Sequence, residues 1–222
     1  MRLVTHHNED FFEAHLTEMV HLVIADPPYG RIVKKAWDQR SSDEILSTYV
    51  HLMRRLETCC VEGASCYLFG GIGKPGYRPF FTAIPLIEAS TMWRMKNLIT
   101  WGKKRAYGKK DNYLFTREEI GWFVLGEEPR VFNIPYLEKK RGYAGYNDKY
   151  RAKSEYLRRT NVWSDITEIL NGKRHECEKP QALYDVIIST SSNPGDTVLD
   201  PMFGSGASAI SAYTNDRNWI GY

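Results

Sequence analysis

The stretch Val23–Arg31, VIADPPYGR, sets an acid, two prolines and an aromatic ring directly after an apolar run, with no polar spacer. Leu22, Val23 and Ile24 read as a buried strand. The residues that follow suit one chemical task. An exocyclic amine on a nucleobase is a poor nucleophile because its lone pair is delocalised into the ring. To alkylate it, a site must accept hydrogen bonds from both N–H groups, so that the nitrogen can pyramidalise toward an electrophilic methyl. Asp26 offers a carboxylate acceptor. The carbonyl of Pro27 offers a second, held by a backbone that proline restricts. Tyr29 provides a face on which the base can stack. Charge developing on the amine would be stabilised by the ring and the carboxylate together. In this role Asp26 is expected to face a solvent-open pocket.

A second stretch, VLDPMFGSGASAISAYTNDRNWIGY from Val198 to Tyr222, runs a strand into Asp200 and Pro201. The turn Gly204-Ser205-Gly206 then opens a helix of small residues. Glycine permits close approach of a ligand to the backbone, and a helix N-terminus presents free N–H groups. A tight strand–helix turn without a ligand has the same composition, so the turn alone leaves ligand binding open.

Strands and helices must alternate to hold both stretches. Val20–Ala25 reads as a strand. Asp43–Cys59 reads as an amphipathic helix with Ile45, Leu46, Tyr49, Leu52, Met53 and Leu56 at helical spacing and Ser42 or Asp43 as N-cap. Further strands are expected at Ala64–Phe69, Met95–Trp101, Ile120–Leu125, Thr197–Leu199 and Trp219–Tyr222. Further helices are expected at Pro79–Ala89, Lys179–Thr190 and from about Ser205. This alternation predicts an α/β fold with a doubly wound, mainly parallel sheet, whose carboxyl edge is where cofactors sit. Residues 126–175 are the least periodic part of the chain. The expected organisation is one domain over 1–222, with 126–165 as a small recognition insertion.

Composition is that of an ordinary globular chain: 222 residues, 42% hydrophobic and 26% charged. No apolar run approaches the length of a membrane span, and the N-terminal MRLVTHHNEDFF lacks a signal-peptide core, so a soluble cytoplasmic protein is expected. The four cysteines and six histidines show no zinc-ligand spacing, which predicts free thiols and no metal. Charge is uneven. Residues 101–160 carry 15 Lys and Arg against 8 Asp and Glu, while the remainder is net acidic. Tyr107, Tyr113, Tyr143, Tyr146 and Tyr150 are interleaved with these cations. Charge alone suits a solvated face as well as a polyanion-binding one, and the interleaved aromatics favour phosphate contact with base stacking.

Taken together, DPPYG at 26–30, HECEKP at 175–180 and VLDPMFGSG at 198–206 resemble the DNA amino-methyltransferases that use S-adenosylmethionine. The order, catalytic motif first and glycine motif last, is similar to their circularly permuted β group, and the resemblance spans Asp10 to Tyr222. It implies a Rossmann-like methyltransferase fold, S-adenosylmethionine as cofactor with S-adenosylhomocysteine as product, and double-stranded DNA as partner. Asp26, Pro27, Pro28 and Tyr29 would be the catalytic motif, acting on a base flipped out of the duplex. Asp10, Asp26, His175, Lys179, Pro180, Asp200, Met202, Phe203, Gly204, Ser205 and Gly206 would bind the cofactor. Trp37, followed by Asp38, stands where the family often has a Trp-acid pair. With Trp37, the cations Lys103, Lys104, Arg105, Lys139, Lys140 and Arg141 form the expected nucleic-acid face. The family usually has Phe at Met202 and Pro at Glu176. Its ribose-gripping acid would fall one position past Tyr222, so either the sequence is truncated there or cofactor affinity is compromised.

Asp at the first motif position leans toward adenine N6, whereas Ser leans toward cytosine N4. A protein-glutamine methyltransferase would have Asn before the two prolines and the glycine motif ahead of them. A nucleic-acid-binding relative that has lost the cofactor is the non-catalytic alternative. Oligomeric state, including a dimer, is left open.

Overall fold

The computed structural model describes residues 3–30, 40–71, 73, 77–108, 110–140, 155–172 and 177–222. Its strands are β1 (Val4–His6), β2 (Val20–Ala25), β3 (Cys60–Gly70), β4 (Trp93–Tyr107), β5 (Phe115–Leu125), β6 (Tyr136–Lys140), β7 (Tyr156–Arg158), β8 (Val162–Trp163), β9 (Thr197–Asp200) and β10 (Asn218–Gly221). Its helices are α1 (Ser42–Glu57), α2 (Pro79–Ser90), α3 (Gln181–Ser191) and α4 (Ala207–Thr214).

Eight strands form one sheet in the order β1-β10-β9-β2-β3-β5-β4-β8. The strand β2 lies between β9 and β3, parallel to both. Its central place explains its nearly unbroken apolar sequence, since both faces are covered. Val23 and Ala25 point into a layer with Ile45, Tyr49, Leu52 and Leu56 of α1 and Phe80 and Ile87 of α2. Leu22 and Ile24 point into the opposite layer with Leu183, Ile187 and Ile188 of α3 and Ala207 and Ala212 of α4. Helices on both faces of a mainly parallel sheet are the expected doubly wound arrangement.

Three details differ from expectation. The cap of α1 is Ser41, whose hydroxyl accepts from Glu44 N–H at 3.2 Å while Glu44 accepts from Ser41 N–H at 2.7 Å. This Ser-x-x-Glu capping box satisfies two orphan donors at once, which Ser42 or Asp43 would not. Lys179 lies before α3, which starts after Pro180 in extended conformation. Finally, β5 inserts between β3 and β4 and runs antiparallel to both, so one end of the sheet is not parallel.

That antiparallel pair has a positional consequence. Gly70, at the carboxyl end of β3, pairs with Glu119 of β5, so residues 115–118 continue past the carboxyl edge. The outer halves of β4 and β5 stand above that edge with both faces largely exposed. The strands β6 and β7 form a separate antiparallel pair, while β8 joins the main sheet beside β4.

Candidate active site

Both sequence stretches leave the same edge of the sheet from neighbouring strands. Leu22 and Val23 of β2 pair with Val198 and Leu199 of β9, so Asp26 and Asp200 emerge side by side. From β2 the chain winds through α1 to β3 on one side, and from β9 through α4 to β10 on the other. Strand order reverses between β2 and β9. Such a switch point opens a crevice at the carboxyl ends.

On the β9 side, Gly204 and Gly206 have φ of +51° and +74°, values that L side chains rarely adopt. They turn the chain so that α4 begins with no side-chain cap, leaving its first N–H groups for another acceptor. Asp200 is buried; its carboxylate accepts from Met202 N–H at 3.1 Å and from the Ser208 hydroxyl. Burial outweighs those hydrogen bonds and pushes its carboxyl up to about 7. Alongside lies a cavity of about 590 Å³ lined by His6, His7, Asn8, Glu9, Asp10, Phe203 and Tyr222. The strand β1, missed in the sequence because it is three residues long and largely exposed, brings His6–Asp10 there by pairing with β10. Asp10 itself accepts Phe12 N–H at 3.0 Å. Met202 packs against the core layer of α1 and α2.

On the β2 side, Pro27 is buried and Asp26, Pro28 and Tyr29 are half-buried. The expectation of a solvent-open Asp26 needs correction. Its side chain is 19% exposed, Oδ2 is ion-paired with Lys179 Nζ, and Oδ1 accepts the Tyr29 hydroxyl at 2.6 Å. Lys179 is 6% exposed, and its Nζ also lies 3.4 Å from Glu118 Oε2 on β5. Glu118 Oε1 in turn is paired with Lys103 on β4. Positive and negative groups therefore alternate from Lys103 through Glu118 and Lys179 to Asp26. Burial alone would neutralise Lys179, but Asp26 and Glu118 outweigh it and hold the ammonium charged. Burial would likewise raise Glu118, yet Lys179 and Lys103 keep it below the ordinary carboxylate range. The Tyr29 phenol is pushed well up by burial and then by Asp26 and Glu118, so it remains a donor.

The sequence-selected residues thus separate. Asp26–Tyr29 and Lys179 form one cluster, while Asp10 and Phe203 line the cavity next to the 200–206 turn. Lys179 faces Asp26, and Pro180 precedes α3. Lys103 points inward to Glu118 and lies 4.9 Å from the Trp101 ring. Lys104, Arg105, Lys139 and Lys140 are exposed; Arg105 also donates to the Leu170 carbonyl, and Lys140 sits 3.8 Å from Glu155. Trp37, Arg141 and His175 lie outside the described residues. Glu118 was not legible in the sequence. Only the register pairing Trp101 with Glu118 sets it near Lys103 and Asp26.

A family model described as DNA methylase matches residues 20–222, nearly the whole chain. The chain belongs to the DNA methylase family. The methylase is 30% identical over 237 residues to the type II methyltransferase M1.MboII of Moraxella bovis, an alignment covering 96% of this chain and 87% of that enzyme. It is 27% identical to the type II methyltransferase M.BamHI of Bacillus amyloliquefaciens over 92% of this chain, but it spans only 50% of that protein. Among solved structures, the methylase superimposes on an M1.HpyAVI–SAM complex with TM-score 0.65 at 22% identity, covering 99% of this chain and 92% of the other. With the cytosine-N4-specific PvuII DNA methyltransferase the TM-score is 0.75 at 16% identity, covering 99% and 82%. At those identities the superpositions establish the fold, which is the Rossmann-like methyltransferase arrangement. Among the described residues no helix is long and apolar enough to cross a membrane, and no cluster of His, Cys, Asp or Glu suits a metal.

Proposed function

We propose that this methylase transfers the methyl group of S-adenosylmethionine to the N6 amine of an adenine flipped out of double-stranded DNA. The observation that carries the reading is the emergence of Asp26 and the 200–206 turn from adjacent strands at the switch point. The carboxylate at the first motif position supports adenine over cytosine, where the resemblance leans to Ser. The fold itself does not separate the two bases. Residues 1–222 act as one domain, with 126–165 as the recognition segment. That assignment is supported by the β6–β7 pair standing apart from the main sheet.

The cofactor supplies an electrophilic methyl on a sulfonium. Its site would be the crevice beside Asp200, Phe203–Gly206 and Asp10, whose volume and uncapped helix suit a ligand with both charged and apolar parts. Asp26 Oδ1 and the Pro27 carbonyl accept the two amine hydrogens, directing the nitrogen lone pair at the methyl. Transfer would form the N–C bond as the S–C bond breaks and release S-adenosylhomocysteine; Asp26 would stabilise the positive charge on the amine, whose extra proton would pass to solvent. In the base-free state Tyr29 donates to the oxygen this scheme needs. The arriving base displaces that hydroxyl, and the ring then stacks on it.

Digestion of methylated duplex to nucleosides tests the base assignment. N6-methyladenine is expected; N4-methylcytosine would move the reading to cytosine.

Two further outcomes follow from charge. Asp200 is half-ionised near pH 7, and a cationic cofactor favours its ionised form. Cofactor affinity is therefore expected to rise between pH 6 and 8, with a proton released on binding below pH 7. Calorimetry in buffers of different ionisation enthalpy reads this directly, and Asp200→Asn should abolish the pH dependence. For DNA, each neutralised phosphate contributes about 0.9 to the slope of log affinity against log salt. Replacing Lys139, Lys140 and Arg141 by Ala should weaken binding to any duplex and reduce that slope by roughly 2–3. Superimposable slopes would place the DNA elsewhere.

A further inference from the structure

Glu118 belongs to neither motif, yet it touches three members of the cluster around Asp26. It lies on β5 where that strand passes the carboxyl edge, with its side chain 16% exposed. One carboxylate oxygen pairs with Lys103, and the other lies 3.4 Å from both Lys179 Nζ and the Tyr29 hydroxyl. A carboxylate this far from water persists only with charged partners, and here it has two. Lys179 is consequently shared between two acids, Asp26 following β2 and Glu118 on β5.

We propose that Glu118 is a positioning residue for methyl transfer, sharing Lys179 with Asp26 so that the Asp26 carboxylate stays aimed at the target amine and keeps the acceptor strength it needs. The inference rests on the methyl-transfer reading above. A lysine bound to Asp26 alone would draw off more of its acceptor strength. A second carboxylate divides that pull, and Lys103 keeps the second carboxylate in place. The cluster of two ammoniums and two carboxylates is neutral overall, so changing one member alters the field at Asp26 with a definite sign.

The charged and titratable groups facing Asp26 among the described residues come from several elements. Tyr29 belongs to its own loop, and Lys179 precedes α3, which contributes Tyr184. Tyr49 comes from α1, Asp200 from β9, and Glu118 from β5. Only Lys179 among these is a cation.

Removing it leaves Asp26 and Glu118 as like charges, so in Lys179→Met the acid limb of the kcat profile should move to higher pH by about one unit. Glu118→Gln does the reverse. Two ammoniums then act on one carboxylate, so the acid limb should move to lower pH by a similar amount, while plateau kcat falls about tenfold. KM for S-adenosylmethionine should stay within about twofold in Glu118→Gln, because the cofactor crevice is untouched. A merely structural role would lower the amount of active protein without moving the profiles in opposite directions.

The test measures kcat against pH for wild type and both variants, together with the carboxyl titration of Asp26 by carbon NMR. Displacements of opposite sign in both readouts support the proposal. Unchanged profiles, or displacements of the same sign, in protein whose wild type methylates DNA overturn it. A wild type that transfers no methyl group but shows the opposed NMR titrations would instead overturn the methyl-transfer reading and leave the charge network standing. If Glu118→Gln does not fold, Lys103→Met/Glu118→Gln removes a neutral pair. That double variant should show the kcat loss with the acid limb close to wild type, and wild-type kcat in it would overturn the proposal.

Discussion

Asp26→Ala is expected to lower methyl transfer by roughly 10²–10³-fold, the usual loss when one group stabilising transition-state charge is removed. Stability should fall as well. The substitution strips one partner from Lys179, which is 6% exposed and whose remaining ion-pair partner among the described residues is Glu118 at 3.4 Å. Breaking a buried pair while leaving a second partner should cost about 1–3 kcal/mol. Asp26→Asn retains the volume and one acceptor oxygen, so it should lose turnover with a smaller loss of stability. Steady-state rates with denaturant midpoints on the same samples separate the two effects. Wild-type turnover in Asp26→Ala would remove Asp26 from the chemistry.

Tyr29→Ala is expected to reduce turnover by about 5–150-fold, corresponding to the roughly 1–3 kcal/mol that stacking contributes per base. Duplex affinity should change much less, because the ring acts on the extruded base. Tyr29→Phe keeps the ring and removes only the hydroxyl that occupies Asp26 Oδ1 before the base arrives. Turnover close to wild type is therefore expected, with the phenol's hydrogen bond replaced by the amine's. Equal losses of duplex affinity and turnover in Tyr29→Ala would contradict the stacking role.

How much of this was legible in the sequence depends on the range of the interactions involved. The strand β2 is legible to the residue because a central parallel strand is apolar on both faces. The alternation of strands and helices predicts a cofactor at the carboxyl edge, and it is the register of β2 on β9 that sets Asp26 and Asp200 side by side there. The antiparallel β4–β5 pair was not legible. Its connection over 108–114 lacks a two-residue turn signal, and the outer halves of both strands are exposed and polar. Everything that depends on that pairing was hidden with it, including the inward turn of Lys103 and the contact of Glu118 with Lys179. The basic block therefore reads as one surface, although one of its lysines, Lys103, turns inward to pair with Glu118.

The most direct measurement of a shared site is incorporation of labelled methyl from S-adenosylmethionine into duplex DNA, with wild type and Asp26→Asn compared at matched cofactor occupancy. Label in DNA from wild type and little or none from the variant is expected. Unlabelled DNA from wild-type protein saturated with cofactor, or equal labelling by the variant, would contradict the placement of methyl transfer at Asp26 beside the 200–206 turn.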